Sequence, residues 1–493
     1  MKQAYLRGTV IAAALGFAST ALAAEEVRIM WYSDGNEGEV VADLLKRFEE
    51  QNPDITVALD NVSYQVVKEQ LPITLEAGGG PDIARVTDLK ALADHWLDLT
   101  PYLADKAYWD QNYGEQADWL RPDGSDAITG FMTQITLTGG FANKTLFDQA
   151  GVALPAAGSS WDQWVEAAQQ VATSQQLPAA FAMDRSGHRM SAPIINFGAN
   201  YIGADGMPAP VDAGVRDYVG KLVGWTEGGQ NLKDVWVSAA GASYRAAAED
   251  FINAQVPLYF SGSWQIGNFS AKIGDNFDWV AIGNPCGPKS CSGIPGGAGL
   301  VAVKYTQHPE AVAKVMDYLA SEPVMREFTQ RTLFIPSNAA VRAAGDLQYV
   351  TTDPQVQPAL DAFNADVKNI TPEANALPAW KWATAYYTAL VTRTGQAMAG
   401  EMSLEDAFAR MDSDIAEQVK VLARSHQSLI WARQRQVNVL RSNLREFYPA
   451  ALAAFGADLD DRDALAVLAA APGPQAAAKL TQARVQTLLR KAG

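Results

Sequence analysis

The sequence predicts an α/β chain of at least two domains followed by a helical extension, and three observations carry that prediction. Strand and helix patterns alternate from Glu26 to Val86, the order that builds a parallel sheet with helices on its faces. The chain has 493 residues, well past the roughly 250 to 300 at which a single hydrophobic core stops growing. Beyond residue 420 the charge changes sign. The last 73 residues hold ten Lys/Arg and five Asp/Glu, a net +5, so the first 420 carry −21 within a whole-chain charge of −16. A balance this acidic speaks against nucleic acid as a partner.

The first 23 residues read as a signal peptide. Lys2 and Arg7 precede an apolar run from Gly8 to Leu22, and Ala21-Leu22-Ala23 supplies the small residues at which such a segment is cleaved. The run is too short for a spanning helix and meets Glu25 and Glu26 at once. No cysteine lies nearby, which excludes a thioether lipid anchor. An uncleaved interfacial anchor is the alternative; export to the periplasm as a soluble protein is the expectation.

From there the elements follow in order. Val27 to Ser33 is a strand, Glu39 to Gln51 an amphipathic helix with apolar Val40, Val41, Leu44, Leu45 and Phe48, and Ile55 to Leu59 a second strand. Val66 to Ala77 is a second helix and Pro81 to Val86 a third strand. In such sheets ligands bind outside the carboxyl ends of the strands. Two loops fall there, Ser33 to Gly38 and Thr87 to Lys90, and both carry more hydrogen-bonding groups than a turn needs. Gly78-Gly79-Gly80-Pro81-Asp82 lacks the Lys-Ser/Thr pair of a phosphate loop and precedes a strand, so Asp82 reads as structural.

Phe131 to Ala142 reads as one long strand with two glycines inside, the mark of another backbone's close approach. Asn143 caps a helix over Lys144 to Ala150, Gly151 ends it, and Pro155 keeps it from resuming. Ser160 and Gln163 form a capping box that starts a helix under Trp161 and Trp164. Arg185, His188 and Arg189 follow, a cluster that suits either a solvated loop or the binding of a carboxylate or ring hydroxyl. Val256 to Ile266 is a strand that ends in a Ser-Gly-Ser turn with Trp264 beyond it. Cys286 and Cys291, the only two cysteines, are separated by four residues and read as one small-loop disulfide; a redox motif has two intervening residues and a metal site needs more ligands. Residues 309 to 334 are helical with a proline restart. Pro378 to Trp382 then places two indoles and an ammonium in five residues, and Ser403 to Gln418 is a helix.

Asn143-Lys-x-Leu-Phe-x-x-Ala-Gly, the Trp161-Asp162 pair and the strand ending at Ser261-Gly-Ser-Trp264 together resemble the extracellular solute-binding proteins of sugar ABC transporters. The likeness covers roughly Val27 to Gln418. It implies a two-lobed periplasmic binding protein (type II-like) with hinge strands, a monomer that closes on an oligosaccharide and delivers it to an inner-membrane ABC permease, with no cofactor and no metal. The implied lobes are 24–142 with part of 265–335, and 143–264 with 336–420. Trp31, Tyr32, Trp264 and Trp380 would stack on sugar rings, and Asp34, Asn36, Glu37 and Asp88 would accept hydroxyl bonds. Arg85, Arg185, His188, Arg189 and Lys381 would add positive charge; Tyr64 and Gly297 complete the expected ligand set. The stretches Trp31 to Gly38, Met183 to Arg189 and Asn284 to Cys291 are most similar to binders of acidic oligosaccharides of the digalacturonate type, with neutral di- or trisaccharides as the alternative. A glycan-degrading enzyme would need two facing carboxylates. No spacing marks such a pair, and the four histidines, at 95, 188, 308 and 426, are scattered.

Residues 421–493 are foreign to that pattern. Ala423 to Phe455 and Asp463 to Gly493 resemble an internal helical stretch of insertion-element transposases that use a DEDD tetrad, but no intact tetrad is present. The expectation is a fusion scar whose helices, Val419 to Phe447 and Gln475 to Leu489, form locally and stay mobile or lie along the acidic lobes. A docking arm is the rival reading.

Overall fold

A computed structural model describes residues 24–226, 244–456, 459 and 461–492. The expected signal peptide, 1–23, lies outside the described residues. Contacts divide the chain into two units between Asp412 and Ser413.

The first unit holds two five-stranded sheets. The strands are β1 (Glu25–Trp31), β2 (Ile55–Asn61), β3 (Ile83–Val86), β4 (Gly130–Met132), β5 (Thr136–Asn143), β6 (Phe181–Met183), β7 (Leu258–Gly262), β8 (Trp279–Gly283), β9 (Pro295–Gly296) and β10 (Gly299–Ala302). The first sheet runs β2-β1-β3-β10-β4, with β1 parallel to both β2 and β3 and β10 antiparallel to its neighbours. The second runs β6-β7-β5-β8, and β9 pairs with β5.

Alternation of side chains along β1 sets the first core. Val27, Ile29 and Trp31 point to one face, where they meet Leu44 and Phe48 of the helix Glu37–Gln51 and Val312, Met316 and Phe328 of the helices Pro309–Ala320 and Glu322–Thr332. Tyr32, Val86, Trp96, Met132 and Val301 pack on the other face. The second sheet is covered by aromatic groups. Phe141 packs on Phe251, Phe269, Trp279 and Phe363, and Trp161 on Trp164, Tyr218 and Phe260.

The expected strand Phe131 to Ala142 is two strands in two sheets. Thr133 donates its N–H and hydroxyl to the Ala298 carbonyl, and Ile135 pairs with Ile335, which turns the chain out of one sheet and into the other. The first sheet's share therefore ends at Met132, ten residues short of the expected lobe boundary at 142. The chain returns at 297–298, between β9 and β10, and Ile335 makes a third crossing beside Ile135. The helix Gln265–Lys272 and β8 lie with the second sheet, and the helix Ala339–Ala344 with the first, where Asn338 bonds the Tyr108 and Tyr113 hydroxyls. The expected helix Val66 to Ala77 is two short ones, Tyr64–Glu69 and Leu71–Glu76. The helix Lys144–Ala150, with its Asn143 cap and left-handed Gly151, and the capping box at Ser160 form as expected.

The helix Leu404–Phe447 begins before the division between the units and runs without a break through the point where composition changes. Val437, Leu440, Leu444 and Tyr448 recur at helical spacing and gather Leu452, Phe455, Leu459 and Leu468 into a small core. The expected helix Val419 to Phe447 is the later part of Leu404–Phe447, and the expected helix Gln475 to Leu489 divides into Pro474–Ala477 and Gln482–Ala492; the apolar stripe gives the tail a core of its own. Among the described residues no helix is long and apolar enough to cross a membrane.

Candidate ligand-binding site

The carboxyl ends of β1 and β3 open onto a cavity between the two sheets. Tyr32 and Asp34 reach it from the loop after β1, Thr87, Asp88 and Lys90 from the loop after β3, and Tyr64 and Lys68 from the helix between them. Gln134, Thr136, Gly296 and Gly297 floor it from the crossings. The second lobe contributes His188, Arg189, Tyr244 and Trp264, then Trp380, Thr384 and Tyr387. Gly297 sits at φ 147°, and a Cβ there would fall 2.1 Å from the Gln134 carbonyl oxygen, so only glycine fits this crossing. As packed, the cavity measures about 240 Å³, below the roughly 300 to 1,000 Å³ usual for ligand clefts.

The charged lining is held from behind. Arg189 lies 4.0 Å over the Trp264 ring and donates Nε to Asp184 at 3.0 Å. Asp184 is fully buried and also accepts from Tyr259 at 2.6 Å, Ser261 at 3.1 Å and the Ala247 amide at 2.9 Å, so the guanidinium is fixed and neutralised. Arg189 Nη1 donates to His188 Nδ1 at 3.0 Å, which leaves Nε2 to carry the imidazole proton toward the Pro295 backbone. Burial, with Arg189 and Lys68 nearby, pushes His188 down to about 3. The ring is neutral. Burial would also depress Lys68, yet its ion pair with Asp88 more than offsets this and raises it.

Asp34 is the exception. Glu37 accepts the Asp34 and Gly35 amides at 3.0 and 2.6 Å and takes Arg85 Nη2 at 3.5 Å, whereas Asp34 reaches the same nitrogen only at 4.0 Å. Burial and the Glu37 charge push the Asp34 carboxyl up to about 7, against the pull of Arg85 and Arg189.

Of the fifteen residues expected to meet a ligand, nine line this cavity: Tyr32, Asp34, Tyr64, Asp88, His188, Arg189, Trp264, Gly297 and Trp380. Six do not. Trp31 lies in the core beside Phe328, because it shares the strand face of Val27 and Ile29. Arg85 is fully buried against the Trp31 and Tyr32 rings and donates to the Tyr32 carbonyl, so it braces the wall from inside. Glu37 is spent on the loop amides, and Asn36 turns away to donate to the Arg331 carbonyl at 3.0 Å. Arg185 packs against Gly395 of the helix Ala383–Met398, its backbone paired with Arg245. Lys381 is half exposed and lies 3.5 Å from Asp123. The reading of the sequence missed Lys68, Gln134, Tyr244, Thr384 and Tyr387, which line the cavity. Lys68 had a signal, one helical turn after Tyr64; the others come from irregular or remote segments that leave none. Cys286 and Cys291 are bonded, and the Cys286 backbone is tied to Ser159 and Trp161 at the start of the helix Trp161–Gln175. No group of three or more metal-ligating side chains is present among the described residues.

Residues 32–326 match the family model described as bacterial extracellular solute-binding protein. The chain belongs to that family. Among solved structures, this solute-binding protein superposes on maltose-bound MalE3 of T. maritima with a TM-score of 0.66 at 17% identity, covering 80% of this chain and 100% of that one. MalE of Bdellovibrio bacteriovorus bound to maltotriose gives 0.65, also at 17% identity, over 80% and 99%. At that identity the likeness carries the two-lobed fold. Among curated relatives, the maltodextrin-binding protein MdxE of Bacillus subtilis is 29% identical over 114 residues, 22% of this chain and 27% of its own length. A Streptomyces coelicolor protein described as a mini-circle transposase is 46% identical over 85 residues, 17% of this chain and 20% of its own. This solute-binding protein thus spans about a fifth to a quarter of the length of the curated relatives it matches.

Proposed function

We propose that the protein is the periplasmic substrate-binding component of an ABC importer, capturing an oligosaccharide between its lobes and presenting the closed form to a membrane permease without altering the sugar. The observation that carries this reading is the composition of the cavity wall. Tyr32, Tyr64, Tyr244, Trp264 and Trp380 line it among donors and acceptors that come from both lobes, an aromatic share that suits the apolar C–H groups of sugar rings. The proteins named for maltose, maltotriose and maltodextrin share its fold or part of its sequence.

Within that class the reading is an acidic oligosaccharide, digalacturonate or similar. Lys68, Lys90 and Arg189 face two lining carboxylates, Asp34 and Asp88, and Asp34 keeps its proton up to about 7. A neutral malto-oligosaccharide is the second reading. It is favoured by the pairing of Lys68 with Asp88 and of Arg189 with Asp184, which leaves little net field for a ligand carboxylate. Intrinsic tryptophan fluorescence of the mature protein decides between them: digalacturonate is expected to change it and maltose or maltotriose to leave it unaltered. The reverse result removes the acidic reading. Silence with both families of sugar removes the oligosaccharide, and release of smaller sugars during the titration would turn the reading to an enzyme.

A further inference from the structure

Among the described residues, three contacts join the first lobe to the second beside the cavity. Thr384 Oγ1 donates to Asp88 Oδ1 at 2.7 Å, Lys381 Nζ lies 3.5 Å from Asp123 Oδ2, and the Tyr64 and Tyr244 rings meet edge to face at 5.0 Å. Thr384 and Lys381 stand at the start of the helix Ala383–Met398, which packs on the second lobe's helix Gly187–Asn196. Asp88 and Asp123 hang from the first lobe. Each is already held there by a lysine of its own lobe, Asp88 by Lys68 and Asp123 by Lys90 at 3.1 Å. A carboxylate fixed and neutralised from one side is a preorganised acceptor for the other, since little freedom is left to lose when the second donor arrives.

We propose that Thr384–Asp88 and Lys381–Asp123 form a latch that sets the balance between the open and closed lobes, and so scales affinity for every ligand of the cleft by one common factor. The idea rests on the binding-protein reading but not on which sugar is bound. A ligand that requires the closed form binds with an affinity reduced by the fraction closed beforehand. A latch contact changes that fraction alike for all ligands; a group touching the ligand changes their affinities unequally, and because Thr384 also lines the cavity, Lys381, which does not, supplies the variant free of direct ligand contact. Loss of one hydrogen bond to a carboxylate that a lysine already neutralises is worth the ordinary hydrogen-bond figure, about three- to tenfold. The exposed Lys381 pair contributes less, and its share fades as salt rises.

The test uses the full chain and the variants Thr384→Val, Thr384→Ser and Lys381→Gln. Small-angle scattering of ligand-free protein is expected to show a larger radius of gyration for Thr384→Val than for the parent, with Thr384→Ser restoring the parent value. Calorimetric titration with digalacturonate and with maltotriose is expected to show any affinity present falling about three- to tenfold, by the same factor for both, in Thr384→Val. Lys381→Gln should fall by less, and only at low salt. An unchanged ligand-free radius in Thr384→Val, or a loss confined to one sugar, overturns the latch. If the parent takes up neither sugar, the ligand assignment fails while the scattering comparison still decides the latch.

Discussion

Asp34 and His188 face the same cavity and answer to pH in opposite senses. The Asp34 carboxyl, ordinarily near 3.8, is pushed up to about 7 by burial and by Glu37, with Arg85, Arg189 and the more distant Asp184 also acting on it. Across that interval the folded protein holds a proton that the unfolded chain has released, so stability falls as pH rises from about 4 to about 7. His188 is driven from 6.5 down to about 3, so the unfolded chain binds the extra proton and stability falls as pH drops below about 6.5. Between about 4 and 6.5 the two slopes oppose each other. His188→Asn should therefore show a urea midpoint that climbs as pH is lowered through this window, and Asp34→Asn one that drops; equal slopes in the two variants would contradict both assignments. How much of this wall was legible depended on where each residue stood. Tyr32, Asp34 and Asp88 could be found because a strand's carboxyl end is located by its pattern. Trp31 could have been excluded by the same logic, since Val27, Ile29 and Trp31 share a parity that points into the core. Tyr244, Tyr387 and Gln134 reach the cavity only through tertiary placement, which no local pattern records.

Among the elements, β5 shows both what the sequence reveals and what it hides. Its two glycines signalled a close approach, but the visitors are side chains. A Cβ on Gly140 would fall 2.1 Å from the Trp164 ring, and one on Gly139 2.6 Å from Phe363. The capping box that starts the helix Trp161–Gln175 was readable from Ser160 and Gln163, and it aims the Trp164 ring at Gly140. Gly140→Ala is accordingly expected to cost about 1 to 3 kcal/mol, the usual penalty of overpacking, read as a lowered urea midpoint. Adding Trp164→Phe, whose ring stops short of the new methyl, should return part of it, and a second substitution that only adds to the loss would point away from this contact. The division of Phe131 to Asn143 between two sheets was not legible. The run is uniformly rich in β-forming residues, and the turn at Thr133 is imposed by the Ala298 carbonyl from 165 residues away.

For the whole molecule, the acidic first 420 residues and the basic remainder were separable by charge alone, and contacts divide the chain nearby, between Asp412 and Ser413. The lobe boundaries were harder, because three crossings interleave segments that composition does not distinguish. Every residue lining the cavity lies before that division. Removal of residues beyond Lys420 is therefore expected to leave ligand affinity within about twofold while far-ultraviolet dichroism loses helical signal; abolished binding in the shortened protein would give the tail a part in function. The uninterrupted helix Leu404–Phe447 bears on what becomes of such a tail. Proteases cut chain that can be drawn out straight into their grooves, and a continuous coil of 44 residues presents none at the seam. Cutting there would first demand that this helix unwind, so the change of composition near residue 420 is guarded by the regular structure that runs through it.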